Sequence, residues 1–234
     1  GLDDGVYNTV SATISERLSK QYGVTSSVAT SNGSLENRTR LLSGEVHLAP
    51  MQASAISGNK LCVVAPLFFE VVHLLVREDS NIHSLRDLKG HRIAVGPIGS
   101  GSREATEMVF ESLAITPEIA PREVMAWKEL EADSAPDVAV ICVGLGSPLI
   151  SNLIRSHRWE LMPIPNPIKI ALQHPTLRPM SIDAADYPGI EIPETGVATV
   201  GTTAFLAART DTPSELVTAT LISLYEPPIL CAGL

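Results

Sequence analysis

Apolar residues recur along the chain with two periods, one typical of helices and the other typical of strands. The first set is spaced four residues apart, which places its members on one side of a helix. These residues are Val6, Val10, Ile14 and Leu18. We expect this helix to end at Gly23, because glycine commonly follows the last helical turn. Residues 24–30 alternate and are rich in β-branched side chains, which predicts a strand.

The same patterns predict the remaining elements. Helices are predicted at 34–42, 84–90, 103–113, 148–154 and 213–224, and strands at 46–51, within 61–76, and at 92–96, 138–143, 159–164 and 197–208. The continuous apolar run 138–143 is typical of a strand that is covered on both faces in a parallel sheet. Residues 163–179 are rich in proline and are expected to be irregular, with one helical turn or two. Because strands alternate with helices, the sequence predicts an α/β fold of βαβ units.

Composition and charge narrow the classes of function. The chain has 234 residues and a net charge of −9. Such an excess of acid argues against a nucleic-acid partner, which needs lysine and arginine to displace counterions. It also argues against docking on an anionic membrane, but a local positive site can still bind a small anion. No apolar window is long enough to span a membrane, and no signal-peptide pattern opens the chain.

The three cysteines and six histidines form no recognisable reactive arrangement. Cys62 and Cys142 lie in apolar runs and are expected to be inert core residues, although a disulfide between these two stays open; Cys231 lies near the end. The cysteines fit no metal-ligand spacing, the histidines are scattered, and no nucleophile-elbow motif occurs. The sequence therefore predicts no catalytic residue, no metal site and no cofactor, and we expect the protein not to be an enzyme.

Two glycine and serine loops share one design, since each follows a predicted strand and opens a predicted helix. Free backbone N–H groups and the helix dipole make such helix starts favourable for a carboxylate or phosphate. Plain helix capping is the alternative for each loop, but the pair favours two jaws of one cleft. The second loop completes neither a nucleotide P-loop nor a dinucleotide motif. The candidate residues are Gly33 and Ser34 in the first loop and Gly99, Ser100, Gly101 and Ser102 in the second.

Five further positions are candidates, each with an ordinary structural alternative. Gly144 follows the most buried predicted strand and is either a third wall of the cleft or part of a helix cap. The amide of Gln52 either binds a ligand or is solvated in a loop. Tyr7 and Tyr187 could each present a ring or hydroxyl, whereas Tyr187 could also pack on its own turn. Arg103 is either a carboxylate clamp or a surface residue.

The ordered set of motifs resembles the TAXI-type solute receptors of tripartite ATP-independent periplasmic (TRAP) transporters. Residues 32–37 with 41–49 resemble that family's first block, and 72–76, 84–96 with 99–102, and 187–189 resemble later blocks, so that the likeness covers nearly the whole chain. The resemblance implies a type II periplasmic-binding-protein fold, with two lobes that hold mixed, mostly parallel sheets and are joined by a two-strand hinge. It places residues 1–76 plus 187–234 in lobe one and 77–186 in lobe two.

The resemblance also implies a function and a location. We expect an extracytoplasmic, monomeric solute-binding protein that captures a glutamate-like amino acid or a dicarboxylate for TRAP-type membrane permease subunits. A membrane tether would have to come from sequence beyond this chain, and the tail from residue 226 on is expected to continue. The matching contact positions are Tyr7, Ser34, Asn37, Gln52 and Ser100 to Ser102, with Tyr187. The alternative is a ligand-sensing domain of a regulatory or signalling protein.

Overall fold

The helices and strands are taken from a computed structural model, which describes residue 1 and residues 5–225. The helices are α1 (Val6–Tyr22), α2 (Ser34–Ser43), α3 (Gly101–Ser112), α4 (Pro148–Arg155), α5 (Pro167–Gln173) and α6 (Ser214–Tyr225). The strands are β1 (Leu48–Gln52), β2 (Leu61–Arg77), β3 (Ile93–Val95), β4 (Arg122–Val124), β5 (Val138–Gly144), β6 (Trp159–Leu161), β7 (Arg178–Ile182) and β8 (Val197–Arg209). No described helix is both long enough and apolar enough to cross a membrane.

Most predicted elements are confirmed, and their ends follow local chemistry. Gly23 and Gly44 adopt left-handed backbone conformations directly after α1 and α2, as expected of helix-terminating glycines. The proline-rich stretch begins with an irregular segment, as predicted. The helical turns expected within it are those of α5, which is two turns long. The short helix predicted at 84–90 is a four-residue 3-10 helix, Leu85–Leu88.

The strand predicted at 24–30 is wrong. This segment has no strand partner, and every residue in it except the half-buried Val24 is exposed. Val24 packs against the core between α1 and α6, but the other β-branched side chains of the segment are exposed, and propensity without packing does not make a strand. Two strands were also missed: β4 has only three residues, and β7 contains Pro179, which is unusual inside a strand. The tail from residue 226 on, which we expected to continue into further sequence, lies outside the described residues.

The chain divides into two compact units, and the division falls inside β2 and β8. The first unit comprises Gly1–Met51, Ala55–Leu67 and the chain from Phe205 on, and the second comprises Gln52–Ser54 and Phe68–Ala204. The predicted lobe boundaries at residues 76 and 187 lie elsewhere in the chain, and the assignment of residues to functional lobes stays a prediction.

The first unit has two small apolar cores. One is formed where α1 and α6 pack together, around Ile14, Leu18 and Ala219. The other lies beneath α2 and centres on Leu41 and Met51, neither of which is exposed at all. Cys62 belongs to this unit and is a free thiol that is only half buried, so its predicted burial is partly confirmed.

The second unit is built on a mixed sheet, which confirms the predicted α/β class. Strand β5 pairs in parallel with β3 and antiparallel with β2, while β4 extends the sheet beside β3. Strands β6 and β7 pair antiparallel with β2 and β8. One face is covered by α3 and α5, and the other by α4 and the segment around Tyr187. The five residues Val138 to Cys142 are all buried, as predicted for a strand covered on both faces.

Strands β2 and β8 approach each other so closely in this unit that one position of β8 requires a glycine. A Cβ atom at Gly201 of β8 would lie 2.7 Å from the backbone oxygen of Glu70 in β2. We expect Gly201→Ala to lower the free energy of unfolding by about 1–3 kcal/mol, because a rigid backbone atom must shift. The matched control is Gly144→Ala, since a Cβ there meets its nearest atom, in the Phe68 ring, at an ordinary 3.6 Å. Equal urea-unfolding curves for the two variants would contradict this account.

Candidate functional site

The first glycine and serine loop forms the start of α2, as predicted. Gly33 has φ 121° and ψ −151°, a backbone conformation that is essentially restricted to glycine. Ser34 is the first helical residue and is almost fully buried. Asn32 donates backbone and side-chain hydrogen bonds to Glu36, and the backbone bond is the main cause of the lowered pKa of that carboxyl group. The hydrogen bonds between Asn32 and Glu36 therefore hold the loop and the first turn of α2 in one conformation.

Asn37 holds this loop against the following strand. Its Oδ1 atom accepts a hydrogen bond from the Ser31 hydroxyl at 2.6 Å, and its Nδ2 atom donates to the backbone oxygen of Pro50 at 2.7 Å. Asn37 therefore stabilises the loop through these two hydrogen bonds. Its predicted contact with a ligand stays a prediction. Tyr7 belongs to the same unit, where it lies buried in the first turn of α1.

The second loop forms the start of α3 in the second unit. The Ser100 hydroxyl accepts a hydrogen bond from the backbone N–H of Arg103 at 3.2 Å, so this serine caps the helix. Gly99 lies in the preceding turn, and Gly101 is the first helical residue. Arg103 lies 3.9 Å from Glu107 one turn along α3, which places it in an ion pair of its own helix.

Gln52 lies directly against Gly101. A Cβ atom at Gly101 would come within 2.4–2.6 Å of three side-chain atoms of Gln52, so a glycine is needed for the amide to lie there. Gln52 is 3% exposed, and its Nε2 atom donates to the Cys142 sulfur at 3.5 Å. The structure therefore places Gln52 beside the start of α3, rather than in a solvated loop.

The hydroxyl of Ser102 ties the first turn of α3 to strand β5. It donates to the backbone oxygen of Cys142 at 2.9 Å and accepts from the backbone N–H of the same residue at 3.1 Å. Cys142 is a free, buried thiol whose pKa is raised, chiefly by burial. The predicted burial of Cys142 is thus confirmed, and the structure contains no disulfide between Cys62 and Cys142.

Strand register adds three residues of the second unit to this group. Glu70 of β2 pairs with Gly144 of β5, and Val72 pairs with Cys142. Residues paired across antiparallel strands share a face of the sheet, so Glu70 and Gly144 lie on the same face as Cys142 and α3. Phe68 belongs to this face as well, because side chains alternate along β2 and its ring lies beside Gly144. These residues, which we call the α3 group, are Phe68, Glu70, Gln52, Gly101, Ser102, Cys142 and Gly144.

Sequence reasoning missed Glu70 and Phe68. The available signal was an acidic residue inside the apolar run from Leu67 to Val76, where a buried charge is unusual. Glu70 is 7% exposed, which is rare for an acid.

Tyr187 lies on the opposite face of the same sheet. It is fully buried, and its hydroxyl lies 2.7 Å from the Nε2 atom of His73. The other ring nitrogen of His73 lies 3.3 Å from the backbone oxygen of Ile141. The structure therefore separates Tyr187 from the α3 group, and its predicted ligand contact is left to experiment.

A surface pocket of about 550 Å³ lies elsewhere in the second unit. Its walls come from the end of α4, from β6 and from residues 189–193, and they include none of the predicted site residues. Its three glutamates, Glu78, Glu160 and Glu191, are all exposed to solvent, unlike the buried Gln52 and Glu70 of the α3 group. Among residues 1 and 5–225, no cluster of His, Cys, Asp and Glu could hold a metal ion.

The Ser102 anchor leads to a stability prediction with a control in the same helix. We expect Ser102→Ala to lower the free energy of unfolding by about 1–3 kcal/mol, because two buried backbone groups of Cys142 lose their partner. Ser112 is buried at the other end of α3, and its hydroxyl has no hydrogen-bond partner among the described residues. Ser112→Ala should therefore be nearly neutral or stabilising in chemical denaturation. The anchor would be disproved if both variants lost the same amount.

The buried His73 leads to a prediction about pH. Burial lowers its pKa from 6.5 to about 4, so the folded protein keeps the ring neutral where the unfolded chain would protonate it. Since the unfolded state binds more protons between pH 6.5 and 4, stability falls as the pH falls through this window. The loss should amount to about 3 kcal/mol at most.

Urea unfolding across this pH range measures the effect. His73→Gln should flatten the dependence, while His83→Gln, at an exposed position, should leave it unchanged. An unchanged slope in His73→Gln would show that other groups cause the dependence.

Several solved structures have the same fold as this chain. The periplasmic aliphatic sulphonate binding protein SsuA from Escherichia coli is 16% identical, with a TM-score of 0.56 over 92% of this chain and 67% of that protein. A putative L-cystine ABC transporter protein from Listeria monocytogenes is 14% identical, with a TM-score of 0.57 over 95% of this chain and 82% of the other. The arginine-bound form of truncated ArgBP from T. maritima is 13% identical, with a TM-score of 0.54 over 91% and 82%.

Identities this low establish the fold alone, and they confirm the predicted periplasmic-binding-protein fold. The family assignment comes from the sequence itself. The family model described as the NMT1-like family matches residues 5–227, which is nearly the whole chain. The chain therefore belongs to the NMT1-like family.

Proposed function

We propose that this protein is a solute-binding protein that captures a small anionic metabolite. The observation that carries the proposal is the α3 group, in which buried polar side chains gather at the first turn of a helix on a binding-protein fold. Similar structures include proteins described as binding sulphonate and arginine. Binding of a small solute is the function that this fold and this group of residues support best.

The start of each of two helices supplies the chemistry for an anion. The first N–H groups of a helix have no partner within the helix, and the helix dipole adds about half a positive charge there. Ser34 begins α2, and Ser100 immediately precedes α3. Both serines are buried, so a carboxylate bound at either helix start would be largely removed from water. We propose that acidic groups of the ligand bind at helix starts of this kind, as the resemblance to TAXI-type receptors implies.

The finer assignment rests on that resemblance. We propose that the protein is a TAXI-type receptor, located outside the cytoplasm, which delivers its ligand to TRAP-type permease subunits. In this proposal, lobe one comprises residues 1–76 plus 187–234, and lobe two comprises 77–186. Ligand capture would then follow from hinge closure, with β2 and β8 as the connecting strands.

Two potentially reactive side chains support binding rather than catalysis. The Cys142 thiol is buried with a raised pKa, and a protonated thiol is a poor nucleophile. His73 is fully buried and hydrogen-bonded to Tyr187, on the face of the sheet opposite to the α3 group. We therefore propose that the protein binds its ligand without transforming it.

Thermal denaturation with a panel of amino acids, dicarboxylates, phosphate and sugars tests the proposal. A ligand present at 100 times its Kd should add about 2.7 kcal/mol of stability. Ser34→Ala and Ser100→Ala should each weaken binding about tenfold, because a hydrogen bond to a charged group is lost. Ser112→Ala serves as the control, since that serine lies at the far end of α3. A melt that shifts only with sugars or cations would contradict the anion hypothesis.

A further inference from the structure

The surface pocket of the second unit is an apolar groove that runs beside strand β6. All three residues of β6 contribute to its walls, together with the end of α4 and residues 189–193. Its volume of about 550 Å³ is comparable to that of known ligand pockets. The walls contain four half-buried apolar side chains that also pack against the core on the Tyr187 face of the sheet. They are Ile154, Leu161, Ile190 and Ile192.

Strand β6 has one unpaired edge. It pairs antiparallel with β2, and within the described part of the chain no other strand pairs with it. The backbone N–H of Met162 donates to the backbone oxygen of Leu74, so the backbone groups at this position point to β2. Alternate residues of a strand point their backbone groups to opposite edges, so Trp159 and Leu161 present theirs at the unpaired edge. Such an edge is a template for a further strand.

The walls of the pocket carry an excess of negative charge. Glu78, Glu160 and Glu191 are all exposed, and none of them has an ion pair or a side-chain hydrogen bond among the described residues. Arg155 is the one lysine or arginine among the lining residues, and its guanidinium donates to the backbone oxygen of Pro188 at 2.8 Å. A positively charged occupant is therefore complementary to this pocket.

Charge also distinguishes between the possible occupants. A second copy of the chain brings a net charge of −9, and an anionic membrane surface is repelled in the same way. The end of this chain, residues 226–234, contains a glutamate and no lysine or arginine. The combination of an apolar groove, an unpaired strand edge and exposed carboxylates fits a basic polypeptide segment in an extended conformation.

We infer that the surface pocket is a docking site for an extended, basic segment of a partner protein, which adds a strand to the unpaired edge of β6. Side chains alternate along a strand, so apolar residues of the segment pack on Leu161 and Ile192 while lysine or arginine residues between them pair with the exposed glutamates. This inference is independent of the proposed function, because the pocket includes none of the candidate ligand-binding residues.

A titration followed by NMR tests the inference with two synthetic heptapeptides. One alternates lysine with valine, and the other has glutamate in place of lysine. We expect the lysine peptide to bind with its largest amide shifts at Trp159, Leu161 and residues 189–193. The glutamate peptide should bind at least about tenfold more weakly, and added salt should weaken the lysine peptide because exposed charges are screened.

A pair of charge-matched variants separates the pocket from the general acidity of the chain. The double variant Glu78→Gln with Glu191→Gln should weaken binding of the lysine peptide about fivefold, as expected for the loss of two exposed ion pairs. The control is Glu111→Gln with Glu118→Gln, which removes the same charge at exposed positions outside the pocket and should leave the affinity unchanged. Thermal melting reports whether both variants fold.

Backbone methylation of the peptide tests strand addition itself. The lysine peptide with every backbone nitrogen methylated keeps its charge but has no N–H donors, so its binding should be abolished. Undiminished binding of the methylated peptide would show a site for cations rather than for a strand and would overturn the inference. Equal losses in the two double variants, or unchanged shifts at Trp159 and Leu161, would overturn it as well. None of these results bears on the proposed capture of a small anion.

Discussion

The fastening of the first turn of α3 to strand β5 is the constraint on which the rest of the candidate site depends. Ser102 bonds both backbone groups of Cys142, and Gln52 fills the space that a side chain at Gly101 would occupy. A helix start can favour an anion only if its N–H groups keep one orientation. The anchor provides that orientation from within the second unit, through contacts between neutral groups.

Two residues of the sheet that packs against α3 are unfavourable for the stability of the fold. A buried carboxylate in β2 and a glycine at the facing position of β5 both weaken a strand pair compared with packed apolar residues. Sequences that break local packing rules in this way often do so at functional positions. The large apolar cores on both faces of the same sheet supply the stability that offsets the loss.

Much of the fold could be predicted from sequence, because α1 and α2 each begin and end next to a glycine and strands such as β3 and β5 are continuous apolar runs. The prediction failed where local composition and packing disagree: residues 24–30 resemble a strand but have no partner, and β7 contains a proline. The two loops at helix starts were also recognisable, since their chemistry is local. Glu70 was missed because its importance depends on its register with Gly144, which joins residues far apart in the chain. Likewise, no local pattern shows that Tyr187 is buried against His73.

The central claim is that a small anion binds at the start of α3, and amide chemical shifts measured by NMR test it most directly. On addition of L-glutamate or another ligand found by thermal denaturation, the largest backbone shifts in the second unit should occur at Gly101, Ser102 and the neighbouring Cys142. Saturable binding with unchanged shifts there, and with large shifts at Glu160 and Glu191 of the surface pocket instead, would contradict the account.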